Sequence, residues 1–437
     1  MARYPSYQPT NIPWLPEIPT GWEMKRLRYC FSRVFSGLWG MEPTPNDDGI
    51  VCYRVADFDY AHGGISEDKL TYRAYRSDEI AGRLVEEGDL LLEKSGGGDN
   101  APVGRVVIVD KKIKATCSNF IQALHCKEDY CSKFFCNVFR YMYSKKINGF
   151  YYNQTIGIQN LKVAEYLSIK IPLPPLSEQE RIVAYLDKQT AKVDALIKAK
   201  TEQMALLKEL RERTIADAVT RGLPGEHTSF QSTNIPWLPE IPVSWEVKRA
   251  KSLFKKEQRP IRAEDEIVTA FRDGQVTLRK NRRITGFTEA TDYTHYQGIR
   301  KDDLVIHQMD AFAGCAGVSD SDGMGTPVLS VCTPLRESTV KVHYYAHVIR
   351  LMGHNGYIQS LARGIRERSS DFRFDTFSKQ HLPVPPLSEQ ERIVAYLDKQ
   401  TAKIDKAVAL LASGIEHLKA YRERLIADVV TGQLKVE

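Results

Sequence analysis

The sequence predicts an α+β fold that is built twice: two globular heads of mixed strand and helix, joined by two long antiparallel helices that pair as a pseudo-twofold symmetric coiled coil. Three observations lead to this prediction. Two sequence blocks occur in both halves of the 437-residue chain. The stretches between these blocks alternate short apolar runs with turn residues, and two proline-free segments place apolar residues at helical spacing.

The repeated blocks divide the chain into two homologous halves. An opening motif, TNIPWLPEIP, covers residues 10–19 and again 233–242, and a Trp-Glu pair follows each copy. A longer block, PPLSEQERIVAYLDKQTAK, covers residues 174–192 and 385–403. A repeat this long excludes a solenoid, whose units are much shorter, and indicates two duplicated domains.

Between the blocks, the two variable stretches share a faint common frame. Gly88–Leu92 resembles Asp302–Ile306, and β-branched runs such as Val103–Val109 predict strands. Residues 133–143 and 344–352 are expected to be short helices with aromatic faces. We therefore expect four segments: an opening motif with the first head over 1–173, a first long helix over 174–222, a linker with the second head over 223–384, and a second long helix over 385–437.

The long block carries the signals of a helix that needs a partner. Ser-x-x-Glu sequences at Ser177 and Ser388 predict capping boxes, and Gly222 and Gly432 stand where C-caps are expected. A helix over 178–221 would be about 65 Å long and has one apolar stripe, so the other copy is the expected partner. The first helix ends where the second head begins, and the second helix begins where that head ends. The helices should therefore run antiparallel, with a head at each end.

Composition and motifs exclude several classes of protein. The chain has 42% hydrophobic and 27% charged residues, which is typical of folded proteins. It has no apolar run of about 20 residues and no signal-like N-terminus, so we expect a cytoplasmic protein. Cys117, Cys126, Cys131 and Cys136 cluster without a C-x-x-C pair, so we expect reduced thiols and no metal site.

No catalytic motif is present, so we expect no enzyme activity on this chain. There is no P-loop, no H-E-x-x-H and no nucleophile elbow. The glycine-rich stretch Lys94–Asn100 lacks the G-K-[ST] ending that grips a nucleotide phosphate. Two interpretations remain open: a flexible turn, or a loop that lets the backbone approach a nucleic-acid strand closely.

Two heads on a pseudo-twofold frame suit duplex DNA, whose equivalent grooves recur about every 34 Å. The net charge of +6 is compatible with such a ligand. Each candidate side chain below is as consistent with an ordinary solvated surface, and the aromatic run Phe150–Tyr152 more often belongs to a core than to a stacking surface. The candidates for DNA contact are Lys94, Ser95, Gly96, Gly97, Asn100, Lys145, Lys146, Asn153 and Gln154 in the first head, and Arg272, Gln275, His307, Gln308, Arg363, Arg366 and Arg368 in the second.

The repeated opening motif, the repeated PPLSEQERIVAYLD block and the closing Val430-Thr431-Gly432 resemble the specificity (S) subunit of type I restriction-modification systems. The resemblance covers the whole chain, in the family's order. Gly88–Gly97 and Asp303–Ser319 also resemble the family's target recognition domains. His307-Gln308 stands where a more basic or amide pair often occurs, so no base preference is carried over.

The resemblance implies a non-catalytic subunit that reads DNA. Each head would be a target recognition domain for one half of a bipartite asymmetric site, and the helices would set the spacer. Two modification subunits, which use S-adenosylmethionine to methylate adenine, would dock on the helices. Restriction subunits, which use ATP and magnesium, would join them. The resemblance implies no cofactor on this chain and no membrane partner.

The candidate docking residues lie at equivalent positions of the repeated block: Tyr185, Lys188, Tyr396 and Lys399. Two equivalent partner subunits would require two equivalent surfaces, although gene conversion or shuffling would also keep the blocks identical. The competing class of function is a non-catalytic coiled-coil scaffold with two protein-interaction heads.

Overall fold

The computed structural model describes residues 3–45, 49–66, 68–155, 157–282, 293–361 and 371–436. The chain forms two compact units, one of Met1–Lys200 with Ser413–Glu437 and one of Thr201–Ala412. Each unit therefore combines a head with parts of both long helices. No helix in the described ranges has the length and apolar character needed to cross a membrane.

The first head is a mixture of short strands and helices. Its strands are β1 (Tyr7–Ile12), β2 (Leu15–Pro19), β3 (Glu23–Arg26), β4 (Phe31–Ser36), β5 (Ile50–Tyr53), β6 (Phe58–Asp59), β7 (Gly64–Ile65), β8 (Tyr72–Arg73), β9 (Leu90–Glu93), β10 (Ser95–Gly96), β11 (Val106–Ile108), β12 (Ala115–Cys117), β13 (Ile121–Cys126), β14 (Tyr152–Thr155), β15 (Ile158–Leu161) and β16 (Lys170–Leu173). Its helices are α1 (Ser77–Ile80), α2 (Ser132–Ser144) and α3 (Val163–Tyr166), and the first long helix, α4 (Leu176–Arg221), follows.

The second head repeats this plan. Its strands are β17 (Phe230–Ile235), β18 (Leu238–Pro242), β19 (Glu246–Arg249), β20 (Phe254–Glu257), β21 (Val268–Ala270), β22 (Val276–Leu278), β23 (Gln297–Ile299), β24 (Leu304–His307), β25 (Ala316–Val318), β26 (Gly323–Gly325), β27 (Leu329–Pro334) and β28 (His381–Val384). Its helices are α5 (Val342–His354), α6 (Tyr357–Ser360) and α7 (Phe374–Ser378), and the second long helix, α8 (Leu387–Val430), follows. Helices α2 and α5 confirm the two predicted aromatic helices.

An antiparallel four-stranded sheet forms the centre of each head. Its strand order is β11-β9-β13-β4 in the first head and β25-β24-β27-β20 in the second. The central strands β9 and β24 carry the two sequences, Leu90–Glu93 and Leu304–His307, that share the predicted frame. The equivalent order of strands confirms that frame, although continuous identity between the heads is almost absent.

Successive side chains of each central strand point alternately into two different cores, because the side chains of a strand alternate between its two faces. Leu90 and Leu92 pack in a large aromatic core with α2 and the ends of the long helices, whereas Leu91 faces a smaller core on the other side of the sheet. Leu304 and Ile306 face the large core of the second head, and Val305 faces its smaller core. Both faces of each sheet are therefore covered, and polar residues, Lys94 and Gln308, directly follow the two central strands.

The long helices confirm the predicted coiled-coil fold, and their order within each unit is antiparallel. In the first unit, Arg422 pairs with Asp194 at 2.6 Å, and Gly414 lies against Lys200. Residue numbers thus rise along one helix while they fall along the other. In the second unit, Arg211 pairs with Asp405 at 2.9 Å.

The predicted C-caps are confirmed and the predicted capping boxes are wrong. Gly222 and Gly432 adopt left-handed conformations, with φ of +84° and +72°. At the other end, α4 begins at Leu176, and the carbonyl of Pro175 accepts the amides of Glu178 and Gln179. Ser177 therefore lies inside the first turn, since the preceding proline and not the serine stands at the cap.

Candidate nucleic-acid interface

The glycine-rich loop of the first head is part of a small sheet rather than a free turn. Strand β10 pairs with β15, and β15 pairs with β14, which contains Asn153 and Gln154. The Ser95 hydroxyl donates to Asn160 Oδ1 at 2.6 Å, and Gln154 Nε2 lies 3.5 Å from Asp99 Oδ1. Two candidate groups that are about 55 residues apart in sequence therefore share one surface.

A buried glutamine, which the sequence reasoning missed, anchors this surface. The Gln159 side chain is 1% exposed; its Oε1 accepts the Val103 amide at 3.1 Å, and its Nε2 donates to Gln154 Oε1 at 3.2 Å. Gly97 has φ of +56°, and a Cβ there would lie 2.8 Å from the Val103 nitrogen. Glycine is required at this position because both the conformation and the close approach exclude a side chain.

The ammonium group of Lys94 is less available to a ligand than its position beside the glycine-rich loop suggests. Its side chain is half-buried, and its ammonium donates to the Ser36 hydroxyl. Burial lowers the pKa of Lys94 because the charged form loses hydration. Asn100, Asn153 and Gln154 are exposed and remain the stronger candidates for contact with a ligand.

A one-turn 3-10 helix, Ile147–Phe150, places the remaining candidates of this head at the surface. Lys145 and Lys146 before it are exposed. Tyr151 and Tyr152 are half-buried and pack against the large core, as predicted for an aromatic run. Phe150 contradicts that prediction, since its side chain is 83% exposed. Its neighbours Ile147 and Asn148 occupy the inward positions of the turn instead.

In the second head, two candidates, Arg272 and His307, contact Asp310. Arg272, in the turn between β21 and β22, pairs with the Asp310 carboxylate at 3.0 Å. His307 Nδ1 accepts the Asp310 amide at 3.0 Å, so the ring proton belongs on Nε2. Burial lowers the pKa of His307, which favours the neutral ring. Asp310 was missed, and its nearness to Arg272 has no signal in the sequence because the two residues are 38 positions apart in the chain.

The other candidates of the second head differ in availability. Gln275 is exposed, whereas the Gln308 amide donates to the Pro327 carbonyl at 3.0 Å. Arg363, Arg366 and Arg368 lie outside the described residues.

The aspartate of the shared head pattern is structural. Asp89 is fully buried, and its carboxylate accepts the Glu86 amide at 2.8 Å and contacts His125 Nδ1 at 2.6 Å. Asp303 is 3% exposed, accepts the Arg300 amide at 2.7 Å and pairs with Arg259. Each carboxylate thus holds the turn that leads into the central strand. Burial raises the pKa of Asp89, against the opposing hydrogen bonds.

The opening motif docks on the first turn of the long helix of its own unit. Trp22 Nε1 donates to Glu178 at 3.1 Å, and Trp245 Nε1 donates to Glu389 at 3.0 Å. The Tyr4 hydroxyl also donates to Glu178. The opening segment and the long block occur together in both halves because each supplies one side of this tryptophan–glutamate contact.

One histidine and two carboxylates near this contact lie close enough to hold a metal ion. The ligand atoms of Glu226, His227 and Glu389 all lie within 4.8 Å of one another, in the described part of the chain. However, Glu389 already accepts Trp245 and contacts His227 Nε2 at 2.6 Å, and Arg392 pairs with Glu226 at 2.7 Å. Their geometry is therefore that of a hydrogen-bonded anchor.

A buried glutamine in the same block ties each long helix to its head. Gln179 donates to the Pro174 carbonyl at 2.8 Å and accepts the amide of Cys131, at the start of α2, at 3.0 Å. Gln390 donates to the carbonyls of Pro385 and Thr339, and it accepts the amide of Lys341, at the start of α5, at 2.8 Å. These contacts explain part of the block's identity without any partner.

The candidate docking residues divide into two types. Tyr185 and Tyr396 are half-buried and pack against the large core of their own unit. Lys188 and Lys399 are exposed, as are the alanines that precede both tyrosines. Each long helix therefore presents an exposed face with the same residues at equivalent positions.

A third repeated sequence, which sequence reasoning missed, lies at the C-terminal end of each long helix. Residues 211–220 read RERTIADAVT and residues 422–431 read RERLIADVVT. Arg211 and Arg422, the first residues of these copies, make the two interhelical ion pairs with Asp405 and Asp194. A direct comparison of the ends of the two helical segments would have revealed it.

Several known proteins are similar to this chain in sequence. The family model described as "Type I restriction modification DNA specificity domain" matches residues 70–205. The putative type I restriction enzyme MjaX specificity subunit of Methanocaldococcus jannaschii is 25% identical over 235 residues, which are 53% of this chain and 52% of that protein. The type I restriction enzyme EcoBI specificity subunit of Escherichia coli is 22% identical over 302 residues, 65% of this chain and 62% of that protein. The chain thus aligns with between half and two thirds of these relatives' length.

Solved structures share the fold. A chain from a study of complex assembly and conformational transition of the type I R-M system superposes with a TM-score of 0.69 at 18% identity, over 95% of this chain and 99% of that one. The HsdS subunit from Thermoanaerobacter tengcongensis gives a TM-score of 0.54 at 17% identity, over 95% and 98% of the two chains. The chain therefore contains a type I restriction modification DNA specificity domain over residues 70–205, and its twice-built heads and paired helices resemble specificity subunits of type I restriction-modification systems.

Proposed function

We propose that this chain is the DNA sequence-recognition subunit of a type I restriction-modification complex, and that each head reads one half of a bipartite, asymmetric DNA site. In this proposal the chain has no catalytic activity of its own. The long helices set the length of the spacer between the half-sites, because each head is anchored to them.

One observation carries the proposal. The anchors of both heads are built alike, through Trp22 with Glu178 and Trp245 with Glu389, while the polar residues that leave the central strand differ. Lys94-Ser95 follows β9, and Gln308 follows β24 after the terminal His307. A constant scaffold with variable polar loops suits two recognition elements that read different base sequences.

The exposed, repeated faces of the helices support docking of two modification subunits. Lys188 and Lys399 lie on these faces, and the half-buried Tyr185 and Tyr396 lie beside them. Equivalent surfaces on two helices fit two copies of one partner. We further propose that the modification subunits supply S-adenosylmethionine chemistry and that restriction subunits supply the steps that need ATP and magnesium.

A head exchange tests the proposal. The segment between Trp22 and Pro174 is replaced by the corresponding segment of a specificity subunit with a known site, and methylated bases are sequenced in cells that express the modification subunits. We expect one half-site of the consensus to change while the other half-site and the spacer stay. A change in both half-sites would contradict the modular reading of the heads.

The scaffold alternative makes a different prediction in solution. A DNA-reading chain should bind duplex with an affinity that falls as salt rises, with a log–log slope of about −0.9 for each phosphate contacted. A protein scaffold should show no such specific duplex binding. A salt titration of the purified chain with its methylation consensus, against a scrambled duplex, separates the two.

A further inference from the structure

The most exposed large aromatic side chain in the described part of the chain is Phe150, at 83% exposure. A lone exposed apolar residue is common on protein surfaces and needs no special role. Phe150 differs because its backbone is held in place from both sides, and because the exposed candidates Lys145, Lys146, Asn153 and Gln154 flank it in sequence. These two features give it a defined position on the surface of the first head.

The turn that carries Phe150 is rigidly built. Lys146 adopts a left-handed conformation with φ of +56°, and its carbonyl accepts the Gly149 amide at 3.0 Å. The Asn148 carbonyl accepts the Tyr151 amide at 2.9 Å. Ile147 is 3% exposed and Asn148 is 1% exposed, so two inward side chains fix a turn whose outermost side chain is Phe150.

Val103 connects this turn to the glycine-rich loop. Asn148 Nδ2 donates to the Val103 carbonyl at 2.7 Å, and the Val103 amide donates to the buried Gln159 at 3.1 Å. Gly97 packs directly against Val103. The Phe150 turn, the glycine-rich loop and the β14-β15 hairpin are therefore connected through Val103.

We propose that Phe150 is a DNA-binding residue that inserts between bases of the half-site read by the first head. This inference rests on the proposed function. Lys145 and Lys146 on the same turn are exposed and suit the flanking phosphates, and Asn153 and Gln154 suit base edges. An apolar wedge between base steps, with cations on the backbone beside it, is an established way for proteins to unstack DNA.

The test uses the full chain in complex with its modification subunits, and a duplex that carries its methylation consensus. The fluorescent base 2-aminopurine replaces single bases in either half-site, since its emission rises when it unstacks. The probe is kept away from the methylated adenines, because a methyltransferase flips its target base in either half-site. At the remaining positions we expect a rise in the first half-site on binding and none in the second. Phe150→Ala should abolish the rise and weaken binding about 5- to 100-fold, which is the range of one base–aromatic stack.

Matched variants separate stacking from other effects. Phe150→Trp should keep both the emission and the affinity. Tyr29→Ala removes another exposed aromatic ring of the same unit, 51% exposed, and should change neither. Lys146→Gln should reduce the salt slope by about 1, whereas Phe150→Ala should leave it unchanged because the ring carries no charge.

The outcomes are distinguishable. If the wild-type complex binds the duplex but Phe150→Ala binds equally well, the inference is wrong and the proposed function stands. If Phe150→Ala loses affinity without any 2-aminopurine rise in the wild type, insertion is wrong. If the variant instead loses its modification subunits on size exclusion, Phe150 belongs to a protein interface. Failure of the wild type to bind any duplex would overturn the proposed function itself.

Discussion

The two buried glutamines of the repeated block offer a matched pair of perturbations within one molecule. Gln179 and Gln390 occupy the same position of α4 and α8, and they are 1% and 0% exposed. Gln179 makes two hydrogen bonds to backbone groups, and Gln390 makes three. Replacement by methionine keeps the volume while it removes the amide.

The expected magnitudes follow from these bonds. A buried backbone group that loses its partner costs about 1 kcal/mol or somewhat more. Gln179→Met should therefore lower the free energy of unfolding by about 2–3 kcal/mol, and Gln390→Met by about 3–4 kcal/mol. Both values are large for substitutions that conserve volume, which alone cost less than about 1.5 kcal/mol.

Urea denaturation measures the global effect, and amide hydrogen exchange locates it. Exchange should accelerate at the start of α2 in Gln179→Met and at the start of α5 in Gln390→Met, because those helix ends lose an acceptor. Glu180→Gln and Glu391→Gln, exposed neighbours in the same turns, serve as controls. A change below about 0.5 kcal/mol for Gln390→Met, the size of an ordinary surface substitution, would refute the reasoning.

Two further predictions concern recognition, and a third concerns catalysis. Gly97→Ala should lower both stability and duplex affinity, because the new Cβ would meet the Val103 nitrogen. Gly98→Ala places its Cβ in open space and should change neither. Thermal melting and duplex titration measure the two effects. Four residues inserted after Leu207 lengthen α4 by about 6 Å and nearly preserve the apolar stripe, so the methylation consensus should keep its half-sites and gain about one base pair of spacer; an active variant with an unchanged spacer would show that this helix is not the ruler. The isolated chain should show no methyltransferase, nuclease or ATPase turnover, and turnover abolished by a point mutation in this chain would contradict that.

The sequence by itself determined the architecture, because the apolar residues of the long helices recur periodically and both sequence blocks occur twice. Helical spacing over more than forty residues leaves little choice of secondary structure, and two copies of a block with a single apolar stripe require each other as partners. The antiparallel order followed from connectivity alone. The common frame of the central strands survived in Gly88–Leu92 and Asp302–Ile306, since a buried aspartate and alternating apolar residues are needed in both heads.

Only the tertiary structure decided how the candidate site is assembled. The predicted capping serine lies inside the helix, because Pro175 provides the first acceptor carbonyl. Phe150 is exposed and Lys94 is half-buried, although the polarity of each side chain suggests the reverse. Gln159 bonds to the amide of Val103, 56 residues away, and Asp310 pairs with Arg272, 38 residues away, and no local pattern records such contacts. They depend on how distant segments pack, which is a property of the folded chain rather than of any window of its sequence.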